Sequence, residues 1–130
     1  PPMSYAHVPL DTLSPDARAW LSDNPDAAAA LSAFVERMVE EFKANDHKGN
    51  RPGWLEMTPQ QALAELQHHT AKLSIVVSRL DRAQGGGYGS RASGDPNFQQ
   101  VPGTPDAVSE YTADVANIAL MLADTVGTLR

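Results

Sequence analysis

Apolar positions recur at helical spacing along most of the chain, and nowhere do they alternate residue by residue as a half-buried strand requires. Between Pro25 and about Ala44, Leu31, Phe34, Val35, Met38, Val39 and Phe42 fall on one stripe. From about Pro59 to Ala83, Leu63, Leu66, Thr70, Leu73, Val77 and Leu80 follow alternating steps of three and four. The same pattern returns from about Pro105 to Leu129 with Val108, Tyr111, Val115, Ile118, Leu122 and Leu129. A short helix, about Pro15 to Ser22, precedes these long ones.

The helix starts carry a common signal: Ser14-Pro15, Asn24-Pro25, Thr58-Pro59 and Thr104-Pro105. Proline suits the first helical position because its missing N–H would be unpaired there anyway. The side chain before it accepts a bond from a free N–H of the first turn. Thr58 with Gln61 also fits a reciprocal capping box. The pattern predicts an all-α, antiparallel four-helix-type bundle of one short and three longer helices. It fills a single domain over 14–130, after an N-terminal tail of 1–13 whose Pro1-Pro2 reads as an addition ahead of Met3.

Two stretches interrupt the periodicity. Asn45 to Met57 is expected to be a loop, rich in glycine and charge and carrying Trp54. The second, about 84–104, holds a glycine-rich run and is expected to be a flexible connector; Tyr88, Arg91 and Phe98 would give a ligand lid its grip in the alternative reading.

Composition narrows the classes. At 130 residues the chain supports one core. It lacks cysteine, which removes disulfides and thiolate metal sites. A net charge of −6 opposes general nucleic-acid binding but leaves room for a small anion in a local basic pocket. No apolar run approaches the roughly 20 residues of a membrane span, and no charged-then-apolar leader is present, so a cytoplasmic protein is expected.

Polar side chains flank the seams of the two Thr-Pro helices. Glu65, His69, Lys72 and Val76 share one flank, with His68 about 100° away, and Glu110, Asp114, Asn117 and Met121 share the matching flank of the last helix. Such groups tolerate burial if they pair across the helices, hold a metal or hold a ligand. Glu65 and His69 also suit a plain surface pair and Lys72 a surface lysine. Asp114 and Asn117 sit in an apolar run and point more firmly to function.

The segment Glu110-Tyr-Thr-Ala-Asp114-Val-Ala-Asn117-Ile-Ala-Leu-Met121-Leu-Ala-Asp124 resembles the second metal-binding helix of the MazG-like, all-α nucleoside triphosphate pyrophosphohydrolases, especially small phage-encoded members. Lys43-Ala-Asn45-Asp-His47-Lys48-Gly49 followed by Trp54 resembles the loop before their first catalytic helix, and Gln61 to Leu73 takes that helix's place. The similarity covers about Phe42 to Gly127. It implies an oligomeric helical bundle, a dimer or tetramer, that binds a nucleotide through magnesium and releases pyrophosphate by attack of water.

The pattern departs from that family at its metal cage. The positions of the first carboxylate cluster are His68, His69 and Lys72, and the residue three before Asp114 is Tyr111, with Glu110 one place further back. Magnesium needs hard oxygen ligands, and an ammonium has no lone pair to offer. The exchange moves the local formal charge from about −3 to about +1.

The expectation that follows is a metal-free nucleotide binder. His68, His69 and Lys72 would meet phosphate, helped by Lys43, Lys48 or Arg51. Asp114 and Asn117 would position lysine or read sugar and base, with Trp54 or Tyr111 stacking. A phage protein of this kind would sequester a nucleotide signal of its bacterial host. The alternative is a hydrolase with a rebuilt site, in which Glu65, His69, Glu110 and Asp114 hold a divalent ion such as magnesium or manganese, with Glu65, Glu110 and Asp114 as its catalytic groups. A protein-interaction bundle without ligand is the third reading.

Overall fold

The computed structural model describes residues 12–83 and 102–129, and among them there is no strand. Five α-helices follow in order: α1 (Pro15–Asp23), α2 (Pro25–Ala44), α3 (Arg51–Trp54), α4 (Pro59–Ala83) and α5 (Pro105–Thr125). None of these helices is long and apolar enough to cross a membrane. The tail ahead of Thr12 and the connector over 84–101, with Tyr88, Arg91 and Phe98, lie outside the described residues.

Three of the four caps form as the sequence predicts. Ser14 Oγ accepts from Ala17 N–H at 3.2 Å and Thr104 Oγ1 from Ala107 N–H at 3.1 Å. Thr58 and Gln61 make the reciprocal box, Gln61 N–H to Thr58 Oγ1 at 3.1 Å and Thr58 N–H to Gln61 Oε1 at 2.9 Å. Asn24 is the exception. Its side chain turns back and donates to Trp20 C=O at 2.8 Å, closing α1 rather than opening α2.

Two boundaries also differ. The predicted loop Asn45–Met57 contains a 3₁₀ turn, Asp46–Lys48, and the single-turn helix α3. Helix α5 ends at Thr125, because Gly127 takes φ 83° and the Thr128 hydroxyl caps Ala123 C=O at 2.8 Å; Leu129 therefore lies beyond the helix.

Packing centres on α5, with α4 on one side and α2 on the other, while α2 and α4 barely touch among the described residues. Gly103 lies on Arg79, the core joins Ile75 and Val76 to Ala107, and Lys72 stands over Tyr111, so α4 runs antiparallel to α5. Arg37 reaches Asp106 and Glu110, and Glu41 reaches Asp114, so α2 runs parallel to α5. The long helices are thus ordered up, down, up.

The side of α4 that meets α5 was not the one its periodicity favours. Ala62, Ile75 and Val76 are buried, whereas Leu63, Thr70 and Val77 of the three-and-four stripe are exposed. Small residues on both partners, Ala62 on α4 with Ala107 and Ala113 on α5, leave room for neighbouring side chains between the helices.

Gly103 marks the closest approach of the two chain segments. A Cβ there would stand 2.5 Å from Arg79 Cβ and 2.6 Å from the Arg79 carbonyl carbon, which is backbone and cannot swing aside. Gly103→Ala is therefore expected to lower stability by about 1–3 kcal/mol, read as a lower urea midpoint at unchanged m-value.

Candidate functional site

A cleft of about 330 Å³ opens where α2, the 45–57 turn, α4 and α5 converge. Helix α5 supplies its floor: Asp114, Asn117, Ile118 and Met121 recur at three- and four-residue steps and so share one face. Glu41, Phe42 and Asn45 come from the end of α2, and Glu65 and His69 from α4. The turn closes the fourth side with Lys48, Gly49, Asn50, Gly53, Trp54 and Met57.

That last wall is held by a contact across 73 residues of sequence. Asp124, 1% exposed at the end of α5, accepts from Arg51 Nε at 2.7 Å, Arg51 Nη2 at 2.8 Å and the Trp54 indole N–H at 2.9 Å. A fork-to-fork guanidinium–carboxylate pair fixes direction as well as distance. Trp54 in turn stacks on Phe42, with ring centroids 5.4 Å apart and planes 29° from parallel. One apolar, aromatic side of the cleft is thereby rigid.

The opposite side is acidic. Glu41 and Asp114 line it, and Glu110, outside the lining and 4.0 Å from Arg37, brings a third ligand oxygen within 4.8 Å of theirs. Burial, with the negative charges of Asp114 and Glu110, pushes Glu41 up to about 7, and a hydrogen bond joins it to Asp114. Burial raises Asp114 as well, against the pull of His69, Lys72 and Lys48. The pair is stable when it shares one proton and strained when both are ionised. His69 Nε2 stands 3.8 Å from Glu65 Oε2, and burial, assisted by Lys72 and His68, lowers its pKa despite Asp114 and Glu65. It faces the cleft as a neutral imidazole at physiological pH.

Asn117 is 4% exposed and the most deeply placed polar group of the floor. Its Nδ2 donates to Met38 C=O at 3.0 Å, which ties α5 to α2, and its Oδ1 is buried without a hydrogen-bond partner. A buried acceptor without a donor costs about 1–3 kcal/mol.

The residues singled out in the sequence divide accordingly. Glu65, His69, Asp114, Asn117, Lys48 and Trp54 do line one cleft. His68, Lys72, Tyr111, Lys43, Arg51 and Glu110 lie outside its lining. Arg51 is engaged by Asp124, Lys72 sits 5.9 Å over the Tyr111 ring, and His68 meets His69 edge-on at 5.4 Å. Nor do Glu65 and His69 join Glu110 and Asp114 in the close acidic group; Glu41 takes that place. Nothing local in the sequence distinguishes Glu41 from Glu36 and Glu40, except that it borders the apolar stripe beside Phe42.

Set beside protein-family models, curated proteins and solved structures, the chain matches none of them.

Removing the Asp124 carboxylate would leave the Trp54 indole N–H and the Arg51 fork without their acceptor. Asp124→Ala is expected to cost about 2–3 kcal/mol in chemical denaturation. It should also red-shift Trp54 emission, since the only other tryptophan, Trp20, is already 56% exposed and contributes a constant background.

The shared proton has a signature in pH. Glu41 has a folded pKa of about 7 against 4.5 unperturbed, so its contribution to stability is complete below about 4.5 and is lost as pH rises through about 7. Glu41→Gln, which mimics the protonated side chain, is expected to flatten thermal stability between pH 5 and 8. Wild type should lose ground to it over that interval in differential scanning calorimetry.

Proposed function

We propose that the cleft binds a phosphorylated nucleotide, and that the phosphates reach it through a divalent cation held by Glu41, Glu110 and Asp114. The observation that carries this reading is the approach of those carboxylates, with oxygens within 4.8 Å, Glu41 and Asp114 in the lining of the cleft and Glu110 beside them, in a cleft that Phe42 and Trp54 also line. An anionic ligand meeting Glu41, Glu65 and Asp114 directly would be repelled, and Lys48 is the single lysine or arginine among the lining residues. Hard carboxylate oxygens suit magnesium or manganese in kind. The buried, unpartnered Oδ1 of Asn117 adds a further acceptor in the same lining.

Each group of the chain then has a task. The cation, when bound, supplies the positive charge that the side chains lack. Phe42 and Trp54 offer a flat apolar wall of the kind a base packs against. Lys48 sits at the rim, where a flexible ammonium meets outer phosphate oxygens. His69 holds a nitrogen lone pair towards the cleft and stands next to Glu65, a pairing that suits proton transfer to or from water.

The resemblance to the MazG-like pyrophosphohydrolases supports the ligand class, and the acidic group answers the loss of their first carboxylate cluster by recruiting α2. The metal-free alternative keeps Lys48 and His69 in the lining, but with His69 neutral it leaves one permanent cation against three carboxyl groups.

Isothermal titration of purine and pyrimidine nucleoside triphosphates separates the two. Binding is expected with manganese or magnesium and to vanish in EDTA. Asp114→Ala should weaken it about tenfold or more, roughly 1.4 kcal/mol. Equal affinity with and without cation would reject the cation bridge. Pyrophosphate appearing in the cation-loaded sample would define an enzyme, and intact nucleotide a binder.

A further inference from the structure

Among the described residues, Asn117 Oδ1 is the one buried side-chain polar atom in the cleft lining without a hydrogen-bond partner. The residue is 4% exposed, and its amide has a fixed sense. Nδ2 donates to Met38 C=O at 3.0 Å. Turned over, the amide would set its own oxygen against that carbonyl, acceptor against acceptor. The end left for the cleft is therefore an acceptor, and it calls for a donor. A buried acceptor so placed acts on specificity, because a ligand bearing an O–H or N–H in register gains a bond that an analogue lacking it forfeits.

Position along α5 decides which part of a ligand reaches it. At 1.5 Å per residue, Asn117 lies about 4.5 Å beyond Asp114, and Asp124 lies about 10 Å further on. Asp114 belongs to the acidic group, while Asp124 fixes the Trp54 indole of the aromatic wall. Past Asn117 the floor turns apolar, with Ile118 and Met121. A nucleotide whose phosphates meet the acidic end and whose base meets the aromatic end has its sugar between them. Ionised phosphates offer acceptors only and cannot satisfy Oδ1, and a base held at the Trp54 end lies beyond it. The sugar hydroxyls are the O–H donors that fall in register.

Resting on the cation-bridged nucleotide reading of the cleft, we infer that Asn117 Oδ1 accepts a hydrogen bond from a sugar hydroxyl, 2′ or 3′, and so selects nucleotides by their sugar. Asn117 then has two tasks on one amide. Its nitrogen ties α5 to α2, and that tie holds its oxygen at a set depth for the ligand. The orientation precedes binding, so little ordering is left to oppose the new bond.

Isothermal titration of the full chain tests it, with manganese complexes of the ribo-, 2′-deoxy-, 3′-deoxy- and 2′,3′-dideoxynucleoside triphosphates of adenine, guanine, cytosine and uracil. On a base that binds, the dideoxy form is expected to bind about tenfold or more weaker than the ribo form. The two single deoxy forms assign that loss to one hydroxyl. Asn117→Ala should erase the difference, bringing ribo and dideoxy forms within about twofold of each other. A side chain that served only to hold the helices would weaken both alike and keep their ratio. If Asn117→Ala does not fold, the wild-type series decides by itself. Equal or tighter binding of the dideoxy form by wild type, or an unchanged ratio in folded Asn117→Ala, overturns the inference and leaves the nucleotide reading standing. Failure of every triphosphate to bind in manganese overturns that reading, and this inference with it.

Discussion

Two carboxyl groups held half-buried against each other set the terms for the rest of the cleft. Glu41 and Asp114 reach across from parallel helices, share a hydrogen bond, and are both raised in pKa by burial. Ionising both at close range in a poorly solvated site is unfavourable, so the site either keeps a proton or takes up a compensating positive charge. The chain itself supplies part of that charge: Arg37 reaches Glu110 at 4.0 Å and pulls Glu41 down, and Lys72 and Lys48 pull on Asp114, while Arg51 is locked to Asp124. His69 is held neutral by the same burial. The proposed cation would supply the remainder, next to a rigid aromatic wall.

The fold serves this arrangement by separating what must be rigid from what must be polar. Asp124 fixes the 51–54 turn to the far end of α5 through three short hydrogen bonds, so the wall bearing Trp54 does not depend on ligand for its position. Asn117 joins α5 to the backbone of α2, one turn along from Asp114, and sets the depth at which Glu41 and Asp114 meet. Little of this is achieved by bulk. Among the described residues, half of the buried apolar ones are alanine, with Ile75, Val76 and Ile118 the larger members. Specific polar ties therefore carry much of the definition of the cleft, and their loss is felt there before the helices themselves melt.

Helices were the part of this structure most open to reading from residues alone. Their starts depend on local chemistry: a capping side chain, a proline with no N–H to waste, and a glutamine three residues on. The exception at Asn24 shows the limit, since an amide can cap backwards as well as forwards. Periodicity located the apolar stripe of α4 but not its partner. A repeat of three and four reports that something packs there, whether the same chain or another copy. The inward side of α4 is instead built from Ala62, Ile75 and Val76, which fall outside that repeat.

The site divides along the same line. Asp114 and Asn117 stood out because polar side chains in an apolar run need a reason. Glu41 had no such context, being one of several glutamates on an amphipathic helix, and its role exists only because α2 runs parallel to α5. Arg51 and Trp54 were chosen for their chemistry, but a carboxylate 70 or more residues away decides where they point. The most direct measurement is the number of protons released when manganese binds, from titration calorimetry in buffers of different ionisation enthalpy. With Glu41 titrating at about 7, release of close to one proton per cation near pH 6 should fall towards none by about pH 8.5. No manganese binding, or a proton count that does not change with pH, would contradict a cation site built on that shared proton.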